Sequence, residues 1–211
     1  MDCRELATYL DRPIELVTER CKYAPYELAY LWPSYKDRTL DFYREAELYL
    51  FDLTLYQNIL KERLTDIKFK ESIKEHGFRN MLDFGGGIGN WTIWAIEAGA
   101  DCDFLDVEGV MLDYARWRFE KRGFQPRIFK EDEIENIEFY DCIVASDVFE
   151  HIENPEPVIK NLSQKCKYMW CNEEEIPYNA IYPMHISHFT LNPYFEKINQ
   201  YLWKSRFSQS A

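Results

Sequence analysis

The stretch MLDFGGGIGN, residues 81–90, decides how this chain folds. Met81, Leu82 and Phe84 supply a short apolar strand with Asp83 inside it, and Gly85, Gly87 and Gly89 then space a G-x-G-x-G turn. Asn90 is placed to cap a helix over WTIWAIEA, and Gly99 is placed to stop it. Glycines suit such a turn for two reasons. The backbone must adopt angles that a Cβ penalises, and a ligand can approach the main chain without meeting a side chain. The helix N-terminus beyond the turn adds a partial positive charge and free N–H groups.

Outward from this turn, strands alternate with helices, the pattern of a doubly wound, mostly parallel sheet. CDFLD at about 102–106 reads as a second strand, followed by the helix VMLDYARWRFEK and the stop Gly123. Further strands fall at about 127–130, 141–146 and 166–171, with a helix starting near Pro155 or Pro157 between the last two. A last helix is expected from Asn192-Pro193, with a short tail behind it. The fold class is therefore α/β, Rossmann-like, with a helical cap in front.

That cap occupies residues 1–76. Residues 1–36 read as short helices, with Pro13 at a first-turn position and Pro25 and Pro33 as punctuation. From about 39 to 64, Phe42, Ala46, Tyr49, Leu53, Tyr56 and Leu60 recur at steps of three and four, which predicts one amphipathic helix. Leu50, Phe51 and Leu55 widen its apolar stripe, so a second surface is expected to be covered too. Residues 77–211 form the second expected region, which carries the glycine turn.

Composition narrows the function. The chain has 211 residues, 46% of them apolar and 17% aromatic, with a net charge of −12. Nucleic-acid binding calls for a basic face to neutralise phosphates, and no Lys/Arg block of that kind is present. No apolar run reaches membrane-span length and no leader is visible, so a cytoplasmic protein without a membrane partner is expected. None of the six cysteines forms C-x-x-C, and four fall in expected strands, where a buried reduced thiol is the simplest reading.

The dinucleotide fingerprint is G-x-G-x-x-G, with an acid about 20 residues on. Here the third glycine comes one position early and Asp83 precedes the first by two. This arrangement resembles motif I of class I S-adenosylmethionine (SAM) methyltransferases. FLDVEGVMLDYAR is similar to the segment that follows in that family, and SDVFEHIENPEP resembles the segment after motif IV in the ubiquinone-biosynthesis-like, small-molecule group. The resemblance spans about residues 78–207. It implies SAM as cofactor and an expected site built from Asp83, Gly85, Gly86, Gly87 and Gly89 at the methionine end. Asp106 and Val107 are implied at the ribose, Asp132 and Glu133 at the adenine, and Ser146 at the end of the fourth strand. His151 is the implied base toward a small-molecule acceptor, joined by His185 and His188 in YPMHISHF. A divalent metal on Asp147, Glu150 and His151 is a weaker implication, because Asp147 is one methylene shorter than the glutamate of the family set.

The family usually ends in two strands, the last antiparallel, and this sequence gives no sign of the seventh. A shorter sheet is therefore expected, or an edge covered by a second copy of the chain. O- or N-methylation of a small molecule is the leading reading. A protein or peptide methyltransferase and a non-catalytic SAM-fold scaffold stay open beside it, with a nucleotide-dependent dehydrogenase more distant.

Overall fold

The computed structural model describes residues 1–172 and 182–207. Five helices come first: α1 (Arg4–Tyr9), α2 (Ile14–Leu31), α3 (Thr39–Glu45), α4 (Leu48–Glu62) and α5 (Thr65–His76). The alternating part follows as β1 (Asn80–Phe84), α6 (Asn90–Glu97), β2 (Asp101–Asp106), α7 (Val110–Lys121), β3 (Ile128–Lys130) and β4 (Tyr140–Val144). It closes with α8 (Pro155–Gln164), β5 (Cys166–Trp170), β6 (Phe195–Lys197) and β7 (Leu202–Ser205).

The seven strands form one sheet in the order β3-β2-β1-β4-β5-β7-β6. The first five are parallel, β7 runs antiparallel to β5, and β6 runs antiparallel to β7. The expectation of a missing seventh strand is thus wrong. The last helix expected from Asn192 does not form either. NPYFEKINQYLWKS repeats its apolar residues at three- and four-residue steps, which imitates a helix, but Phe195, Leu202 and Trp203 are spent on a short hairpin. All three are fully buried, and β7 returns onto β5 through Met169↔Trp203. The antiparallel edge is therefore supplied within the chain, which removes the reason for seeking a second copy to cover it.

Residues alternate between the two faces of each central strand. Met81, Cys102, Phe104 and Val144 pack with Phe69, Ile73, Trp91 and Trp94 from α5 and α6. Leu82, Leu105, Ile143 and Met169 pack on the other face with Ile159 and Leu162 of α8. A third core joins the front helices to the sheet region. Leu28, Phe42, Tyr49 and Leu50 meet Ile88 of the glycine turn, Met111 and Tyr114 of α7, and Met184. The front helices are thus anchored directly above the carboxyl ends of β1 and β2.

The front differs from the sequence reading in two respects. Residues 14–31 are one helix that tolerates a buried Pro25 inside it. The single helix expected over 39–64 is two, broken at Ala46, whose ψ of 86° leaves the helical region. Ala46 is buried, and the break turns Tyr43 and Arg44 toward the strand ends. No glycine or proline marks it, so tertiary packing decides it. Among the described residues, no helix is long and apolar enough to cross a membrane.

Candidate active site

The turn after β1 stays tied to β2, with Gly85 N donating to Leu105 O at 2.8 Å. Gly85, Gly87 and Gly89 all have left-handed backbones, with φ of 67°, 55° and 78°. At Gly86 the constraint is space, because a Cβ there would fall 2.7 Å from Asp83 Oδ2 and against the Phe104 ring. Gly89 rather than Asn90 is the N-cap of α6. Asn90 instead accepts a 2.8 Å bond from the buried Arg118. Asp83 is turned into the β1–α6 junction, where its Oδ2 accepts from Thr92 N at 3.0 Å and Thr92 Oγ1 at 2.8 Å. Burial pushes its pKa up to about 7 against the pull of those bonds. Its position makes it a brace for the turn.

Asp106 ends β2 beside that turn. Gly87 N donates to its Oδ2 at 2.5 Å and Val107 N to its Oδ1 at 2.6 Å. Burial raises its pKa to about 6, opposed by these two bonds. Each carboxylate oxygen keeps a further lone pair for an incoming hydroxyl. At the end of β3 the acids separate. Asp132 is exposed, and Glu133 accepts from Lys130 N at 2.9 Å to cap its own 3-10 turn. Glu131 pairs with Arg44 and accepts from Glu108 N at 3.2 Å. Glu131, the flanking acid to which the Asp132 assignment could slip by one position, is therefore the member of the acid run joined to the front helices.

Beyond β4 the backbone takes a left-handed step at Asp147, with φ of 55°. Asn172 holds it there by a reciprocal pair: Asn172 Nδ2 donates to Asp147 Oδ1 at 2.6 Å, and Asp147 N donates to Asn172 Oδ1 at 3.2 Å. Ser146 Oγ donates to Asp147 Oδ2 at 3.0 Å, and Tyr56 Oη reaches the same oxygen at 2.5 Å. The following 3-10 turn, Phe149–His151, presents Glu150 and His151. His151 Nδ1 lies 2.9 Å from Tyr43 Oη and 3.2 Å from Met184 O, and its ring meets the His185 ring edge-on at 4.8 Å. Burial, aided by His185, pushes the His151 pKa down to about 3. His185 is also lowered by burial. Glu150 moves the other way, up to about 8, through burial and the charge of Asp147.

His188 is exposed and stands apart from this pair. The metal-compatible set also differs from the one anticipated. Ligand atoms of Glu150, His151 and His185 lie within 4.8 Å of one another, whereas the Asp147 carboxylate is taken by Tyr56, Asn172 and Ser146.

The sequence reading missed Tyr43, Arg44, Tyr56 and Asn172, although all four reach the strand ends. Its available signal was polarity in an apolar stripe: Asp52 interrupts LYLFDLTLY between Tyr49 and Tyr56. The front helices also touch the turn itself. Leu53 Cδ1 lies 3.0 Å from where a Gly87 Cβ would stand, and the Arg44 backbone packs on Gly109.

A parallel α/β sheet with a glycine turn and a buried acid at adjoining strand ends defines a nucleoside-binding Rossmann-like protein. Residues 82–168 match the family described as a methyltransferase domain, from β1 through β5. No curated protein matches the sequence. Among solved structures, the chain is similar to an S-adenosylmethionine-dependent methyltransferase from Clostridium acetobutylicum ATCC 824, at 20% identity over 61% of this chain and 59% of that one, with a TM-score of 0.49. It is also similar to magnesium protoporphyrin IX methyltransferase from Synechocystis PCC 6803 with bound SAH, at 19% identity over 57% and 59%, with a TM-score of 0.48. The chain spans 59% of the length of each. Residues 82–168 thus carry a methyltransferase domain. SAM is the cofactor of such a domain, and the left-handed glycines with the spare lone pairs of Asp106 fit it.

Proposed function

We propose that this enzyme methylates an oxygen or nitrogen of a small-molecule acceptor held between the strand ends and helices α3 and α4. The observation that carries the reading is Asp106, buried at the end of β2 and fixed by Gly87 N and Val107 N beside a left-handed glycine turn. When bound, SAM supplies a methyl group on a cationic sulfonium. Asp106 accepts the ribose hydroxyls, and the left-handed turn through Gly85, Gly87 and Gly89 borders the methionine end. Asp83 braces this turn from behind. Glu131, with Asp132 and Glu133 on its flank, borders the adenine side.

The acceptor side is the group at the end of β4. Tyr43 and Tyr56 fix its two halves from above, Glu150 takes the proton that the acceptor gives up, and the neutral His151 faces the acceptor beside it. Residues 1–76 serve as the cap over the acceptor, and residues 77–211 bind the cofactor. With a net charge of −12, a nucleic-acid acceptor is disfavoured. Calorimetry with S-adenosylhomocysteine tests the reading. Wild type binds, and Asp106→Ala binds at least tenfold more weakly, which corresponds to about 1.4 kcal/mol. Absence of binding by the wild type overturns the cofactor site, and an unchanged affinity in the variant removes the ribose role.

A further inference from the structure

Asp52 has no place in the scheme above, yet it is an unusual residue to bury. It lies on α4 three residues after Tyr49 and four before Tyr56, so the three side chains share one helix face. Tyr56 reaches Asp147 from that face. Asp52 is only 8% exposed, and burial alone raises its pKa, with no bonded cation or hydrogen-bond donor opposing it. A carboxylate drawn this far out of water with no cation bonded to it is costly, and natural folds seldom keep one for structure alone.

Its surroundings form a circuit. Burial raises the hydroxyl pKa values of Tyr49 and Tyr182, and the charge of the nearby Asp52 adds to both. Tyr49 meets Tyr43 at 5.5 Å, and Tyr43 meets His151 at 5.6 Å. His151 meets His185 at 4.8 Å, and His185 stacks on Tyr182 at 5.4 Å, which leads back to Asp52. His185 Nδ1, on the same circuit, is buried without a partner among the described residues. Asp147 and Glu150 stand alongside. No Lys or Arg among the described residues bonds to Asp52, Asp147 or Glu150; the charge of Arg63 reaches Tyr56. The region is thus rich in carboxylates and aromatic faces, with no Lys or Arg among the described residues paired to those carboxylates. An ammonium group answers both features: it neutralises the carboxylate and is drawn to the electron-rich faces of tyrosine rings.

We infer that the methyl acceptor carries an ammonium group, which seats against Asp52 between Tyr49 and Tyr182. The inference rests on the reading of this region as the acceptor site, and it narrows the acceptor to amine-bearing small molecules. A metal ion is less suited to this position. The metal-compatible atoms belong to Glu150, His151 and His185, and Asp52 offers one carboxylate among phenol rings.

Calorimetry on protein saturated with S-adenosylhomocysteine tests it with two probes of one skeleton, tyramine and its neutral counterpart tyrosol. Tyramine is expected to bind at least tenfold more tightly than tyrosol. Asp52→Asn, which keeps the shape, is expected to bring the two within twofold while leaving S-adenosylhomocysteine affinity unchanged. Equal binding of both probes to the wild type, no binding of either, or a preference that survives in Asp52→Asn overturns the inference. So does Mn2+ binding that Asp52→Asn abolishes, since the cation would then be a metal. Loss of S-adenosylhomocysteine binding by the wild type would instead overturn the cofactor reading, so the two failures are told apart.

Discussion

Tyr56 Oη and Asp147 Oδ2 are 2.5 Å apart, although 91 residues separate them in the chain. The bond joins the middle of α4 to the left-handed step after β4. With Tyr43 on His151 and Arg44 on Glu131, it clasps the front helices to the ends of β4 and β3 at once. Tyr56→Phe removes the bond and keeps the ring. It leaves Asp147 to Ser146 and Asn172, so a loss of about 1–2 kcal/mol is expected. Chemical denaturation checks the stability, and limited proteolysis checks the local effect, with cleavage in residues 39–62 rising before cleavage in the sheet. Uniform protection in variant and wild type would show that Tyr56 does not hold the front helices.

At Gly86 the limit is volume rather than backbone angle. An added Cβ would press on Phe104 and stand 2.7 Å from Asp83 Oδ2, which is buried and already committed to Thr92. Neither neighbour has room to yield. Gly86→Ala is therefore expected to destabilise by roughly 1–3 kcal/mol, the usual cost of overpacking. A melting temperature within 1 °C of wild type would mean that the turn is looser than its geometry implies.

These two sites mark what could be read from the sequence. The glycine turn, Asp106 and the strand–helix alternation were legible because each is a local pattern with a local physical cause. Glu150, His151 and His185 were legible as residues, but their meeting was not, since it depends on where the loop after β5 returns. Tyr43, Arg44 and Tyr56 were hidden for a different reason. Each sits in a helix whose period matched core packing, and the break at Ala46 that aims two of them has no glycine or proline to announce it. The closing hairpin was concealed by apolar spacing that a helix would share, and its short strands are settled by pairing with β5.

Asp52 makes a pH-dependent contribution whose sign is fixed by its raised pKa. Burial lifts it from 3.8 to about 7, near Tyr49, Tyr182 and the buried Cys21 thiol. The folded state then holds a proton that the unfolded chain has released. The favourable term is complete below pH 3.8, shrinks as pH rises, and is lost above about 7. A shift of that size corresponds to up to about 4 kcal/mol. Asp52→Asn cannot ionise, so it should match wild type near pH 4 and be more stable at pH 8. Denaturant unfolding at both pH values checks this. A wild type that stays the more stable of the two at pH 8 would place a cation on Asp52 in the free protein.

Glu150 and His151 titrate on opposite sides of neutrality, and this separates their roles. With its pKa pushed down to about 3, His151 is neutral throughout the working range and gives turnover no limb near 6.5. Glu150, raised to about 8 by burial and Asp147, is the group whose ionisation falls within that range. Methyl transfer should therefore rise with pH through a step near 8, and Glu150→Gln should flatten the step and slow turnover by 10²-fold or more, in the range roughly ascribed to general bases. His151→Ala should slow turnover without moving the step. Neither variant should change S-adenosylhomocysteine affinity, since Asp106 and the glycine turn are untouched. Zn2+ should inhibit, because Glu150, His151 and His185 offer it ligand atoms within 4.8 Å of one another and the carboxylate would lose its freedom to accept a proton. The contrary result is also definite: turnover abolished by EDTA and restored by Mn2+ or Zn2+ would make the metal part of the catalyst and Glu150 its ligand.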